Sequence, residues 1–242
     1  ERDVYLYATA KVTLRDFRVN ADLTNDYQDG ALEVDLLIEN RTGDSVEESV
    51  EIKLLEGNQE IYTDRQSIQL ESGQNTLSFE KLLPNIQSWY AENPHLYTLL
   101  INWKGASTAI KVGFRKVEIK DSQLLVNGKA VLFKGVNFHD HSETEGHVVT
   151  EEMTKQDLMI MKQNNVNAIR CSHYPKNPHF YRLCDTYGFY VIDEANIETH
   201  GMGATNQGLE NQPERMAQHP AYLPQWREAH LDRTIRMFER DK

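Results

Sequence analysis

The chain has 242 residues, with 26 Lys and Arg against 37 Asp and Glu, a formal charge of −11. That length suits one large domain or two ordinary ones, and a 39% apolar content is enough for packed cores, which excludes wholesale disorder. The acidic balance argues against a surface built to grip nucleic acid, and no run approaches the roughly 20 apolar residues of a membrane span.

Up to residue 116 the chain alternates in steps of two. Val4-Tyr5-Leu6-Tyr7, Leu32 to Ile38, Val50 to Leu54 and Thr98 to Trp103 all read as strands. Turn chemistry separates them at Asp29-Gly30, Thr42-Gly43-Asp44, Glu56-Gly57-Asn58 and Ser72-Gly73. Several short strands without a helical period predict an immunoglobulin-like β-sandwich over residues 1–116. Glu47-Glu48, near Asp44, reads as a solvated acidic loop rather than a cation site. Trp89, Trp103 and Trp226 read as core or interface residues.

After Lys116 the rhythm changes. Leu124-Leu125-Val126, Asn127-Gly128 and Ala130 to Phe133 form a hairpin pattern around a favoured two-residue turn. Strand and helix then alternate. Leu132 to Asn137 is the first buried strand, and Thr150 caps a helix whose first turn carries Glu151 and Glu152. Met153, Leu158, Ile160 and Met161 give that helix an apolar stripe, and Asn164-Asn165 end it. Asn167 to Ser172 is a second strand. Pro178 opens a second helix closed by Gly188, and Phe189 to Asp193 is a third strand. The polar stretch Gly201 to His219 leads to a third helix from about Ala221, with Trp226, Leu231, Ile235 and Phe238 as its apolar residues.

Consecutive strand–helix units with short connections predict a parallel sheet with right-handed crossovers. Residues 117–242 hold about three such β/α units, the opening of either a doubly wound sheet or an unfinished (β/α)₈ TIM barrel. Against the doubly wound reading, Gly135-Val136-Asn137-Phe138 lacks the spaced glycines of a dinucleotide fold. Ligands of such sheets meet the carboxyl ends of the strands. Those ends carry Asn137, His139, Asp140 and His141, then Arg170, Ser172, His173 and Tyr174, then Asp193, Glu194, Asn196, Glu198 and His200. A lone histidine is usually a hydrogen-bonded structural residue; successive His-bearing loops that converge in space favour a site. Glu198 and His200 point the same way in an extended segment, which suits a divalent cation with mixed ligands, or a Glu–His hydrogen bond. His139 and His141 share that spacing and raise the alternative of a zinc-dependent barrel hydrolase. Cys171 and Cys184 read as buried free thiols.

Two long strings carry a resemblance. Met161 to Pro175, with the core Arg170-Cys171-Ser172-His173-Tyr174-Pro175, and Leu183 to Met202, with Glu194-Ala195-Asn196-Ile197-Glu198-Thr199-His200-Gly201, resemble the β-galactosidases among the family 2 glycoside hydrolases. Asn93-Pro94-His95-Leu96-Tyr97 and Val112-Gly113-Phe114-Arg115 resemble that family's junction between sandwich and barrel. The resemblance implies a retaining glycosidase acting on terminal β-D-galactose of β-galactosides, in a parent expected to be a homo-oligomer without nucleic-acid or membrane partners. It implies that His139 and His173 contact the galactosyl group and stabilise the transition state. It also implies that Glu198 and His200 are protein ligands of an active-site Mg²⁺, with Mn²⁺ a plausible substitute. The family's acid/base and nucleophile Glu fall beyond Lys242, so the segment is expected to be an inactive fragment with an unpaired sheet edge. Residues 203–222 depart from the family pattern and receive no role. A noncatalytic glycan- or protein-binding module is the remaining alternative, and the compartment is not readable.

Overall fold

Inward-facing Leu32, Val34, Leu36 and Ile38 alternate with Glu33, Asp35 and Leu37 along one strand, and every inward member of that set is fully buried. The same period of two recurs at Val50, Ile52 and Leu54 and at Tyr97, Leu99, Ile101 and Trp103. Such a pattern lets each sheet bury one face against another and keep the other face in water. The computed structural model describes residues 4–104, 106–200 and 213–242. They fall into two compact units, residues 1–133 with 185–188 and residues 134–184 with 189–242.

In the first unit, β1 (Val12–Thr24), β2 (Asp29–Asn40) and β5 (Gly73–Leu83) form one antiparallel sheet in the order β1-β2-β5. β3 (Val46–Glu56), β4 (Gln59–Leu70), β8 (Tyr97–Trp103) and β9 (Ala106–Val112) form the other, in the order β4-β3-β8-β9. A short ribbon of β6 (Trp89–Tyr90) and β7 (Asn93–Pro94) sits between β5 and β8 in the chain. The inner faces share one core that includes Leu36, Ile52, Phe79, Leu99 and Phe114. This is the expected sandwich. Asn40, a fully buried side-chain amide, lies at the end of β2 and is saturated. Its Nδ2 donates to the carbonyls of Asp44 (2.8 Å) and Leu70 (3.1 Å), while its Oδ1 accepts from the Thr42 amide and hydroxyl.

β10 (Val117–Lys120), β11 (Gln123–Val126) and β12 (Lys129–Ala130) complete the first unit as a meander. Asn127 (φ 51°) and Gly128 (φ 73°) both take the left-handed conformation that a type I′ turn needs. Only glycine fits the second place, because a Cβ there would lie 2.5 Å from the Tyr27 ring.

The second unit holds a parallel sheet in the order β13-β14-β15, formed by β13 (Gly135–Phe138), β14 (Ala168–Cys171) and β15 (Tyr190–Ile192). Asn137 pairs in register with Arg170, and Arg170 with Ile192. α1 (Glu151–Gln163) connects β13 to β14, and α2 (Pro178–Tyr187) connects β14 to β15. Thr150 Oγ1 caps α1 by accepting from the Met153 amide at 3.2 Å, as its position before two acidic residues predicts. Two further helices follow, α3 (Pro213–Met216) and α4 (Arg227–Asp241).

Several expectations are corrected. Val4 to Tyr7 is no strand and all four side chains are exposed, because no described strand pairs with them. Glu47 and Glu48 lie within β3 rather than in a loop, and Glu48 is ion-paired with Lys104. The strand expected from Leu132 begins only at Gly135, and Leu132, Phe133 and Val136 are exposed rather than buried. On α1 Leu158 is fully buried, whereas Ile160 is exposed. The last helix starts at Arg227, since Pro220 and Pro224 each open a separate 3₁₀ turn first. Trp89 and Trp103 are buried, but Trp226, Leu231, Ile235 and Phe238 are exposed and α4 buries no residue. Residues 201–212, which cover most of the polar connection and part of the stretch without a role, lie outside the described residues.

Candidate active site

Parallel pairing sets the C-terminal ends of β13, β14 and β15 side by side, and each end releases a polar loop. Arg170, the third residue of β14, reaches both neighbours. Its Nη1 donates to Asn137 Oδ1 at 3.3 Å, and its Nε and Nη2 donate to the two oxygens of Glu194 at 2.8 and 3.1 Å. This two-pronged grip is the geometry that makes guanidinium–carboxylate pairs directional. The same carboxylate meets His173 Nδ1 at 3.0 Å. Arg170 Nη2 lies 3.1 Å from the same nitrogen, so Nδ1 either donates to Glu194 or accepts from Arg170, and in both tautomers Nε2 of His173 is left to meet a ligand.

His139, just after β13, stands against that imidazole. The two rings have centroids 5.3 Å apart and planes at 70°, and the Tyr174 ring lies 6.0 Å from His139. Tyr174 also fixes the loop, since its hydroxyl accepts from the Asp140 amide at 3.1 Å. Burial, with the charges of Lys176 and His173, holds the His139 imidazole below the usual histidine range, and Glu198 opposes the shift. These influences favour the uncharged imidazole.

Asp193 serves the scaffold. Its Oδ1 accepts from the Tyr181 hydroxyl at 2.7 Å and from the Glu194 amide at 3.0 Å, so it aims the next residue at Arg170. Burial raises its carboxyl above the usual range, Tyr181 works against that, and Asp241 adds to it. Cys171 and Cys184 are buried thiols outside any disulfide, and burial pushes the Cys171 thiol up to about 12, which leaves it inert.

Glu198 and His200 converge less tightly. His200 Nδ1 lies 3.8 Å from Glu198 Oε1, and both side chains are exposed. Thr199 between them is anchored through its Oγ1 to His219 Nε2 at 2.9 Å, while His219 Nδ1 accepts from the Ala221 amide. No group of at least three His, Cys, Asp or Glu able to hold a metal occurs among the described residues. A carboxylate oxygen and an imidazole nitrogen at this spacing fit two positions of a larger ligand set. His141 turns elsewhere, with its ring 6.2 Å from that of His147. The His139–His141 pattern thus splits between two neighbourhoods. The roles of Arg170 and Glu194 were not foreseen as a linked unit; the signal available was their shared place at adjacent strand ends.

A sandwich followed by βα units that carry polar side chains at the strand ends fits a β domain joined to the opening of a barrel or a doubly wound sheet. Comparison with known proteins specifies it. Residues 117–242 match the model described as "Glycosyl hydrolases family 2, TIM barrel domain", and residues 12–115 match "Glycosyl hydrolases family 2". This chain belongs to glycosyl hydrolase family 2. It is 42% identical over 246 residues to a protein named beta-galactosidase from Streptococcus thermophilus, covering 100% of this chain and 23% of that one. It is 40% identical over 251 residues to a beta-galactosidase from Priestia megaterium, covering 100% and 24%. The chain thus spans about a quarter of the length of these relatives. Among solved structures, a family 2 member from Bacteroides cellulosilyticus matches with a TM-score of 0.72 at 19% identity, over 77% of this chain and 27% of that one. A beta-galacturonidase from Eisenbergiella tayi matches with a TM-score of 0.67 at 25% identity, over 76% and 33%. The sandwich and the opening of the TIM barrel domain are the family's architecture.

Proposed function

We propose that this chain supplies the sugar-contacting histidines and part of the metal site of a retaining β-galactosidase that removes terminal β-D-galactose. The observation that carries the reading is identity of 40–42% across the whole chain to relatives named beta-galactosidase. The paired imidazoles of His139 and His173 support it. A neutral His139 and a His173 oriented through Nδ1 by Glu194 offer ring nitrogens to sugar hydroxyls. Hydrogen bonds to sugar hydroxyls that strengthen in the transition state are a recognised source of glycosidase rate.

Glu198 and His200 would hold Mg²⁺, with Mn²⁺ able to replace it because imidazole is a better ligand for the softer ion. The ion would supply positive charge beside the sugar and its departing group. Retaining hydrolysis also needs two carboxyl groups roughly 5 Å apart. Glu194 is committed to Arg170 and His173, and Asp193 to Tyr181, so neither is placed for that work. In this reading the acid/base and nucleophile come from outside residues 1–242, and these residues alone hydrolyse nothing. A homo-oligomeric parent belongs to the same proposal. A zinc hydrolase built on His139 and His141 gains no support, because the two rings face different partners.

A chimera provides the test. Residues 1–242 are exchanged for the matching stretch of the Streptococcus thermophilus relative, and nitrophenyl β-galactoside is the substrate. Retained hydrolysis, lost by at least about a hundredfold in His139→Ala or His173→Ala, is the expected result, since each removes transition-state hydrogen bonding. A folded chimera that prefers another glycoside, or that tolerates both substitutions, overturns the reading.

A further inference from the structure

Beyond the charge it places near His139, Lys176 has no role assigned above, yet its side chain is fully buried in the second unit. Its Nζ lies 4.0 Å from the centroid of the Tyr174 ring and 5.5 Å from that of Phe138. The same ammonium is 4.0 Å from Asp140 Oδ1 and donates to the Ser172 carbonyl at 3.4 Å. Phe138 and Asp140 flank His139 in sequence, while Ser172 and Tyr174 flank His173. One cation therefore touches the residue on each side of both imidazoles. Its backbone is pinned as well: the Lys176 amide donates to the Tyr181 hydroxyl at 2.8 Å, and its carbonyl accepts from Arg240 Nη2 at 2.8 Å.

Burying an ammonium is unfavourable unless paired and hydrogen-bonded geometry compensates. A methionine would fill nearly the same volume without that penalty, so packing alone gives no reason for a lysine here. We propose that Lys176 is a positioning residue, a buried cation that locks the loops after β13 and β14 together and thereby sets His139 against His173. It acts through Tyr174 and Asp140 and touches no substrate. Attraction to the faces of two aromatic rings gives the lock its direction. A second effect follows from the same placement: the cation disfavours a proton on His139, in the same sense as burial, His173 and His147 and against Glu198. The imidazole is thus kept able to accept a hydrogen bond.

The consequence for sugar binding rests on the reading of His139 given above, but the lock does not, and histidine NMR on residues 1–242 tests the lock by itself. In Lys176→Met, the His139 titration midpoint is expected to move up and the ring contact between His139 and Tyr174 to weaken, while Lys176→Arg keeps the midpoint low. An unchanged midpoint and contact in Lys176→Met overturns the proposal. The wild-type protein gives a reading that no folding defect can obscure. A slowly exchanging Lys176 ammonium with through-space contacts to Tyr174 supports the lock, and a rapidly exchanging one without them refutes it. Methyl β-galactoside binding to the folded chimera probes the other claim, since unchanged affinity in His139→Ala and His173→Ala removes the sugar reading and leaves the Lys176 result standing.

Discussion

His173 and Glu194 come from loops after neighbouring parallel strands and meet through Nδ1 and Oε1 at 3.0 Å, with Arg170 closing on the same carboxylate from β14. Glu194→Gln keeps the shape but removes the charge that both partners need. In the chimera this change is expected to lower kcat/KM on nitrophenyl β-galactoside by about tenfold to a hundredfold, the usual cost of a displaced supporting group. Steady-state kinetics checks it, and full activity would dissociate Glu194 from the site.

Asn40 satisfies the backbone at one end of the sandwich from a fully buried position. Asn40→Ala leaves the Leu70 carbonyl without its donor, so a loss of about 1–3 kcal/mol is expected in urea unfolding. A change smaller than about 0.5 kcal/mol would show that water replaces the amide without penalty.

Gly128 has φ 73° and the Tyr27 ring against its α-carbon. Gly128→Ala must strain the turn and displace the ring, at a cost of roughly 1–3 kcal/mol in the same experiment. Asn127→Ala, which alters only one left-handed residue, is expected to cost less.

Asp193 gives a signed pH prediction. Its folded-state carboxyl is raised by burial and by Asp241, so the folded chain holds this proton to higher pH than the unfolded chain does. Its contribution is complete below the ordinary carboxylate value and is lost as pH rises through the raised one. Asp193→Asn keeps an oxygen for Tyr181 and for the Glu194 amide. It is expected to unfold at a higher temperature than wild type at pH 8, with the difference shrinking toward pH 4. A difference that grows on acidification would mean the carboxylate is the stabilised form.

Strong period-two burial made the sandwich legible from sequence, and Asn127-Gly128 announced its hairpin because few dipeptides accept two left-handed residues. The His-bearing strand ends were equally legible, since a parallel sheet brings such ends together whatever the loops do. Lys176 was not: no sequence pattern marks it as a buried cation, and only tertiary packing puts its ammonium under two rings. The start of α4 was misread because its apolar residues suggest a helix from Ala221, whereas Pro220 and Pro224 force separate turns first. Val4 to Tyr7 has a strand's composition without a described partner, and propensity cannot supply one.

The central claim is that His139 and His173 form one galactosyl-contacting pair. Its most direct measurement is binding of methyl β-galactoside and, separately, methyl β-glucoside to the folded chimera and to its His139→Ala and His173→Ala variants. Preference for the galactoside, lost in both variants, is expected. Equal affinity for both sugars, or unchanged galactoside binding in the variants, would contradict the account.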